Sequence, residues 1–363
     1  VDVINAMLNP EIKIVAENAA GTELCEFKKA SFISFTRFLS SVGELTFVIP
    51  RTDPNFVHLV GLKTHLKVFR DGVLVWKGIY DYLREDMYTY TVFASTYESL
   101  LDYYLINPTA AATSTSRAFT TKKLGTEIAQ ILFNEAVAKT NSLLSGFTLG
   151  TVENPYTPGT TTEMTASYSF DYDKLSYVIR SLAKSGGADW KMGFDKTFNF
   201  YRRLGSDKAA IVFHIKDGEP SNIVDFKRDQ DFRKIGNSIF AFGVGVKVNF
   251  LKSVKTDATS QTTHGLMERN LGMPKDLIDQ AALDKLVDDQ IQVTKLPTSV
   301  VAPSLIIKNV GFLTGWDVGD NVVIDLNIGQ TALTEYKRVL GINAYYSQSG
   351  AETVHVYLGD KKV

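Results

Sequence analysis

The sequence predicts a mainly β protein with an α+β insert: two related small β-barrels in tandem, a mixed α/β middle domain and a helical insertion. Three observations carry this prediction. Short alternating apolar runs, bounded by turn signals, fill both ends of the chain. The two ends repeat one pattern of strands and glycines. Beyond two brief helices in the first of these ends, helical spacing lies in the middle and in one stretch before Pro297.

The first barrel is expected over residues 1–106. Ile12, Ile14 and Ala16 alternate with their neighbours, and Phe32, Ile33, Phe35 and Phe38 lead on to Leu45, Phe47 and Ile49. Asp53-Pro54 followed by Gly61 brackets a brief helix, with an N-cap, a first-turn proline and a C-terminal glycine. Asp71-Gly72 between His65–Phe69 and Val73–Trp76 marks a hairpin, since both central residues of a type I′ turn need positive φ. A strand pair follows at Ile79–Tyr82 and Tyr88–Phe93, then Ser95 and Glu98 match a capping box before Leu100, Leu101 and Tyr104.

The middle domain is expected over 107–215. Asn107–Ser116 reads as a linker, and Leu124, Ile128, Ile131 and Leu132 recur at helical spacing. Thr151–Thr165 reads as a long exposed connection. Leu175, Val178, Ile179 and Leu182 form a helical stripe that Gly186-Gly187 stops. Trp190, Met192 and Phe194 then face Phe198 and Phe200 across Asp195-Lys196-Thr197.

The second barrel is expected over 216–255 and 297–363, interrupted by a loop and helical insertion over 256–296. Ile239–Phe250 is apolar, whereas Thr256–Thr263 is polar and reads as a mobile connection. Pro274 opens a helix carrying Leu283, Leu286, Val287 and Ile291, and strands resume from Leu305–Val310 to Leu358. The order Leu66-Val68-Phe69, turn, Val75–Ile79, Tyr88–Phe93 returns as Val322–Ile324, turn, Val339–Ile342, Thr353–Leu358. Gly78-Ile79 and Gly341-Ile342 share a glycine inside a strand pattern, which suits a bulge or a tight bend.

Composition narrows the function. The 363 residues carry 39 Lys+Arg and 40 Asp+Glu, so a strongly basic nucleic-acid binder is disfavoured. A single cysteine, Cys25, excludes an intramolecular disulfide and a multi-cysteine zinc site. No apolar run reaches the roughly 18 residues that a membrane-spanning helix needs. The N-terminal residues lack the pattern of a signal peptide.

Motifs for chemistry are sparse, and no catalytic, cofactor-binding or metal residue is assigned. His58, His65, His214, His264 and His355 show no metal-ligand spacing, and three of them lie in strand patterns. Gly243-Val244-Gly245 lacks the third glycine and following helix of a dinucleotide site. Cys25 has no neighbouring reactive motif. Capping accounts for Asp171 and Asp173, and a strand-entry turn for Asp317 and Asp320. Lys227, Arg228, Arg233 and Lys234 are interleaved with Asp225, Asp229 and Asp231, a mixed solvated face.

The stretch Arg37-Phe38, Gly43–Pro50, Gly61, Val68–Gly72 and Val75–Ile79 resembles the first barrel of tail-hub proteins of siphovirus-type bacteriophages. Gly315–Val322 followed by Arg338–Ile342 resembles the second-barrel signature of that family, with Asn237-Ser238-Ile239 and the helix after Pro274 in order between them. The resemblance implies a non-enzymatic structural virion protein: a homotrimeric hub at the tail tip, made in the host cytoplasm and without cofactors. Three chains with two barrels each would match a six-fold tube while remaining three-fold below. The implied partners are the tail tube or distal tail protein ring, and spike, fibre or receptor-binding proteins. The tape-measure protein and passing DNA would occupy the lumen, with no sequence-specific nucleic-acid binding. Larger relatives carry C-terminal extensions, so receptor binding is expected from a separate protein. The alternative is a tail-associated glycan-active protein, either a polysaccharide or peptidoglycan hydrolase or a binding module. Its motivation is the 16 Tyr and 22 Phe, with carboxylates in middle-domain loops.

Overall fold

The computed structural model describes residues 10–106, 117–157, 160–218, 221–223, 228–243, 251–272, 279–295, 298–301, 305–306, 315–328, 331–347 and 352–360. They form two compact units: 1–99 with 205–227 and 301–363, and 100–204 with 228–300.

The chain opens in the first unit with seven strands: β1 (Ile12–Glu17), β2 (Glu23–Glu26), β3 (Ser31–Phe38), β4 (Glu44–Pro50), β5 (His65–Arg70), β6 (Val73–Glu85) and β7 (Thr89–Thr96). Between β4 and β5, Asp53 caps a short 3-10 turn, Pro54–His58, by accepting from Asn55 N at 2.9 Å. Asp71 and Gly72 have φ of 48° and 78°, the paired positive values expected of the β5–β6 turn. Ser95 departs from the capping-box expectation: it remains in β7, and its hydroxyl donates to Asp81 Oδ2 at 2.5 Å.

The second unit then takes β8 (Arg117–Lys123), a π-helical turn at Leu124–Ala129, α1 (Gln130–Val137), β9 (Thr148–Val152), β10 (Thr165–Phe170), α2 (Leu175–Gly186), β11 (Asp189–Met192) and β12 (Thr197–Tyr201). The linker expected at Asn107–Ser116 lies outside the described residues. Asn154 Oδ1 accepts from Gly125 N and Thr126 N at the start of the π turn. The α2 stripe of Leu175, Val178, Ile179 and Leu182 is buried, and Gly187 ends the helix at φ 57°. Trp190 pairs with Phe200 and Met192 with Phe198, as the sequence predicts. Asp171 and Asp173 do not cap α2. Lys174 occupies the N-cap position without a side-chain bond, and the Asp173 carboxylate instead accepts from Asp171 N at 3.1 Å.

After β13 (Asp207–Lys216) in the first unit, the second unit adds β14 (Arg228–Asp231), β15 (Ser238–Phe242), β16 (Lys252–Thr256), α3 (Ala258–His264), β17 (Glu268–Asn270), α4 (Gln280–Thr294) and β18 (Thr298–Val301). The connection expected to be mobile at Thr256–Thr263 is largely helix. Asp257 caps α3 through Ser260 N at 2.9 Å, and Ser260 is buried. The helix expected from Pro274 is described from Gln280, capped by Asp279; Pro274 and Pro297 lie outside the described residues. Residues 228–255, expected with the second barrel, fall in this unit, where β15 pairs with β16 and β17.

The chain ends in the first unit with β19 (Leu305–Ile306), β20 (Asn321–Ile328), β21 (Thr331–Tyr346) and β22 (Glu352–Asp360). All strands of this unit form one sheet in the order β13-β20-β21-β3-β4-β7-β6-β5-β1-β2, with β22 pairing β21 and β19. The sequence predicts tandem barrels, but no barrel closes among the described residues: β3 pairs with β21 and makes the two ends continuous. One core accompanies that sheet, including Phe35, Phe47 and Trp76 from the first end and Phe213, Trp316 and Ile342 from later segments.

The internal echo survives as topology. Strands β4-β7-β6-β5 are neighbours in that order, and β19-β22-β21-β20 repeat it with the same chain order. Gly341 borders a bulge in β21, as predicted. At Gly78 a different constraint applies: a Cβ there would lie 2.2 Å from Ser95 O.

Candidate structural network and interaction surface

The motif at 316–320 becomes a turn that ties three segments of the first unit together. Arg37 Nη2 donates to Asp317 Oδ2 at 2.6 Å, and Asp317 N donates to Asp320 Oδ2 at 2.9 Å. Asp320 Oδ1 accepts from Ser206 N at 2.7 Å, and Arg338 Nε donates to Gly319 O at 3.0 Å. These carboxylates therefore organise backbone and guanidinium donors, the turn role expected from sequence. Trp316 is buried and meets Phe213 edge-on at 5.2 Å. Asp317→Ala is expected to lower stability by about 1–2 kcal/mol through the loss of the Arg37 bond, as measured by urea unfolding.

Two further networks escape sequence reading. Glu17 is fully buried and bridges Lys67 and Lys77, the latter at 2.5 Å. Burial pushes its carboxyl upward, but hydrogen bonds from both lysines and their charges outweigh it and hold it below the ordinary 4.5. Beside Glu17, His65 Nδ1 meets Tyr97 OH at 2.6 Å, and burial followed by the Glu17 charge raises the Tyr97 phenol. Arg70 makes a two-pronged contact with Glu352 at 2.7 and 2.8 Å, while Tyr346 OH donates to Glu352 Oε1 at 2.8 Å. The register supplies the missing signal: Lys67 and Lys77 are direct cross-strand partners, an arrangement that favours a carboxylate between them.

The other flagged residues are dispersed. His58 ends the 3-10 turn, His214 lies in β13, His264 ends α3, and His355 lies in β22. Arg228, Asp229 and Asp231 lie in β14, with Arg233 and Lys234 in the following 3-10 turn. Asp225, Lys227 and Val244-Gly245 fall outside the described residues. Cys25 is half-buried; burial, then the Asp53 charge, pushes its thiol up to about 11. Its alkylation at pH 8 is therefore expected to run at least about tenfold slower than that of a free cysteine, measured by timed mass spectrometry with iodoacetamide.

In the second unit, a cavity of about 260 Å³ is lined by residues including Tyr104, Leu132, Lys139 and Leu175. Two of its lining residues are joined, Lys139 Nζ donating to Leu105 O at 2.9 Å. In the first unit, Val57, Val60, Tyr82, Met87 and Tyr88 are exposed apolar side chains at or near the β6–β7 tip and the β4–β5 connection.

Solved structures share this sheet-rich architecture. The tail protein from Neisseria meningitidis MC58 matches with a TM-score of 0.65 at 14% identity, covering 96% of each chain. The 43 kDa tail protein of prophage MuSo2 from Shewanella oneidensis matches at 0.62 and 15% identity, covering 96% of this chain and 98% of that one. Prophage tail protein gp18 from Listeria monocytogenes EGD-e matches at 0.61 and 12%, covering 96% and 95%. At these identities the likeness establishes the fold, which is that of phage tail proteins. The chain belongs to the siphovirus ReqiPepy6 Gp37-like protein family, whose sequence model matches residues 24–265. No curated protein matches the sequence.

Proposed function

We propose that this protein is a structural, non-enzymatic component of the virion: a homotrimeric hub at the distal end of a siphovirus tail tube. The observation that carries this reading is the recurrence of the β4-β7-β6-β5 arrangement as β19-β22-β21-β20 within one sheet. Two equivalent strand sets per chain give a trimer six similar tube-facing modules, while the assembly keeps three-fold symmetry towards the tip. In this role the two sets act as tandem tube-type domains, and their ring encloses part of the DNA exit channel. The tube or distal tail protein ring lies above, spike, fibre or receptor-binding proteins lie below, and the tape-measure protein and DNA occupy the lumen. The family membership and the tail-protein fold support the assignment.

Native mass spectrometry across a wide concentration range tests it. A trimer, followed by images of the particle with six similar modules around a channel at the tail tip, is the expected result. A chain that remains monomeric both in solution and in the assembled particle would overturn the reading.

A further inference from the structure

Among the described strands, the internal repeat leaves one position filled in one copy and open in the other. In β21, residues 331–338 pair with β20, and residues 341–346 then pair with β3. In β6, residues 73–79 pair with β5, and Tyr80 exchanges backbone bonds with Leu62 and Thr64. Beyond Tyr80, β6 continues to Glu85 against β7 alone among the described strands. Counted from the repeated glycines, Gly78 and Gly341, the segment Asp81–Leu83 matches Ala344–Tyr346. The latter pairs with Ile33–Phe35 of β3, and the former has no counterpart of β3 among the described strands.

We propose that the outer edge of Asp81–Glu85 receives a strand from a second copy of this chain. The occupant is a second copy because the matching edge in β21 is already filled by a strand of the same chain. This deepens the hub reading and rests on it for the number of copies.

The backbone geometry fits such an addition. Asp86 N donates to Thr89 O at 3.1 Å, and antiparallel alternation then directs the N–H and C=O groups of Leu83 and Glu85 away from β7. An uncovered edge of this kind is a template for a further strand. Tyr82, Met87 and Tyr88, 54%, 75% and 73% exposed, supply apolar surface beside it.

The test is Glu85→Pro, which removes one outward N–H, with Glu85→Gln retaining it. Sedimentation velocity and native mass spectrometry measure assembly, and circular dichroism checks folding. The expected result is at least about a tenfold weakening of self-association for the proline variant alone. In the wild-type oligomer, exchange of the Leu83 and Glu85 amides should also slow by at least about tenfold relative to the monomer, a readout that needs no variant. A wild-type trimer with unprotected Leu83 and Glu85 amides, or one that folded Glu85→Pro leaves intact, overturns the edge assignment but not the hub. A wild-type chain that remains monomeric both in solution and in the assembled particle overturns both.

Discussion

Glu17→Gln is expected to destabilise the first unit by about 3 kcal/mol, because it leaves Lys67 and Lys77 beside a buried position without their counter-charge. Glutamine preserves shape, so the loss reports charge and hydrogen bonding more than packing. Urea unfolding at pH 7, followed by tryptophan fluorescence, measures it. The pH dependence has a definite sign. The folded-state pKa of Glu17 lies below 4.5, so its contribution is complete above that value and fades as pH falls through the folded pKa. Wild-type stability should therefore fall below about pH 4.5 more steeply than that of Glu17→Gln. Equal acid dependence in the two proteins would contradict the assigned role.

Gly78→Ala is expected to cost about 3 kcal/mol or more, whereas Gly341→Ala should cost roughly half as much. The new Cβ at Gly78 would meet the Ser95 carbonyl at 2.2 Å and the Trp76 ring at 2.5 Å. Backbone cannot withdraw without breaking the β6–β7 ladder. At Gly341 the nearest atoms, at 2.3 and 2.7 Å, belong to the Phe38 ring, a partly exposed side chain that can turn aside. Thermal unfolding of both variants tests the difference. Equal losses would show that the repeated glycines meet the same constraint.

Local chemistry explains why several elements are legible in the sequence. The Asp53 cap, the Asp71-Gly72 turn, the α2 stripe and its Gly187 stop each depend on residues adjacent in the chain. Ser95 shows the limit. Its spacing from Glu98 fits a capping box, but β7 continues through Thr96 and pairs on both sides. The polar run after Thr256 misleads for a related reason: one N-cap and one buried serine make a helix that apolar periodicity does not report.

By itself, the sequence determined the mainly β character, the recurring strand pattern and the resemblance to siphovirus tail proteins, because alternation and turn chemistry are local. Only the tertiary structure decided that β3 joins β21, that Glu17 sits between two lysines, and that β6 keeps one edge uncovered among the described strands. Those features depend on the register between strands far apart in the chain. A shift of one residue would turn every side chain to the opposite face, and no local pattern fixes such a long-range choice.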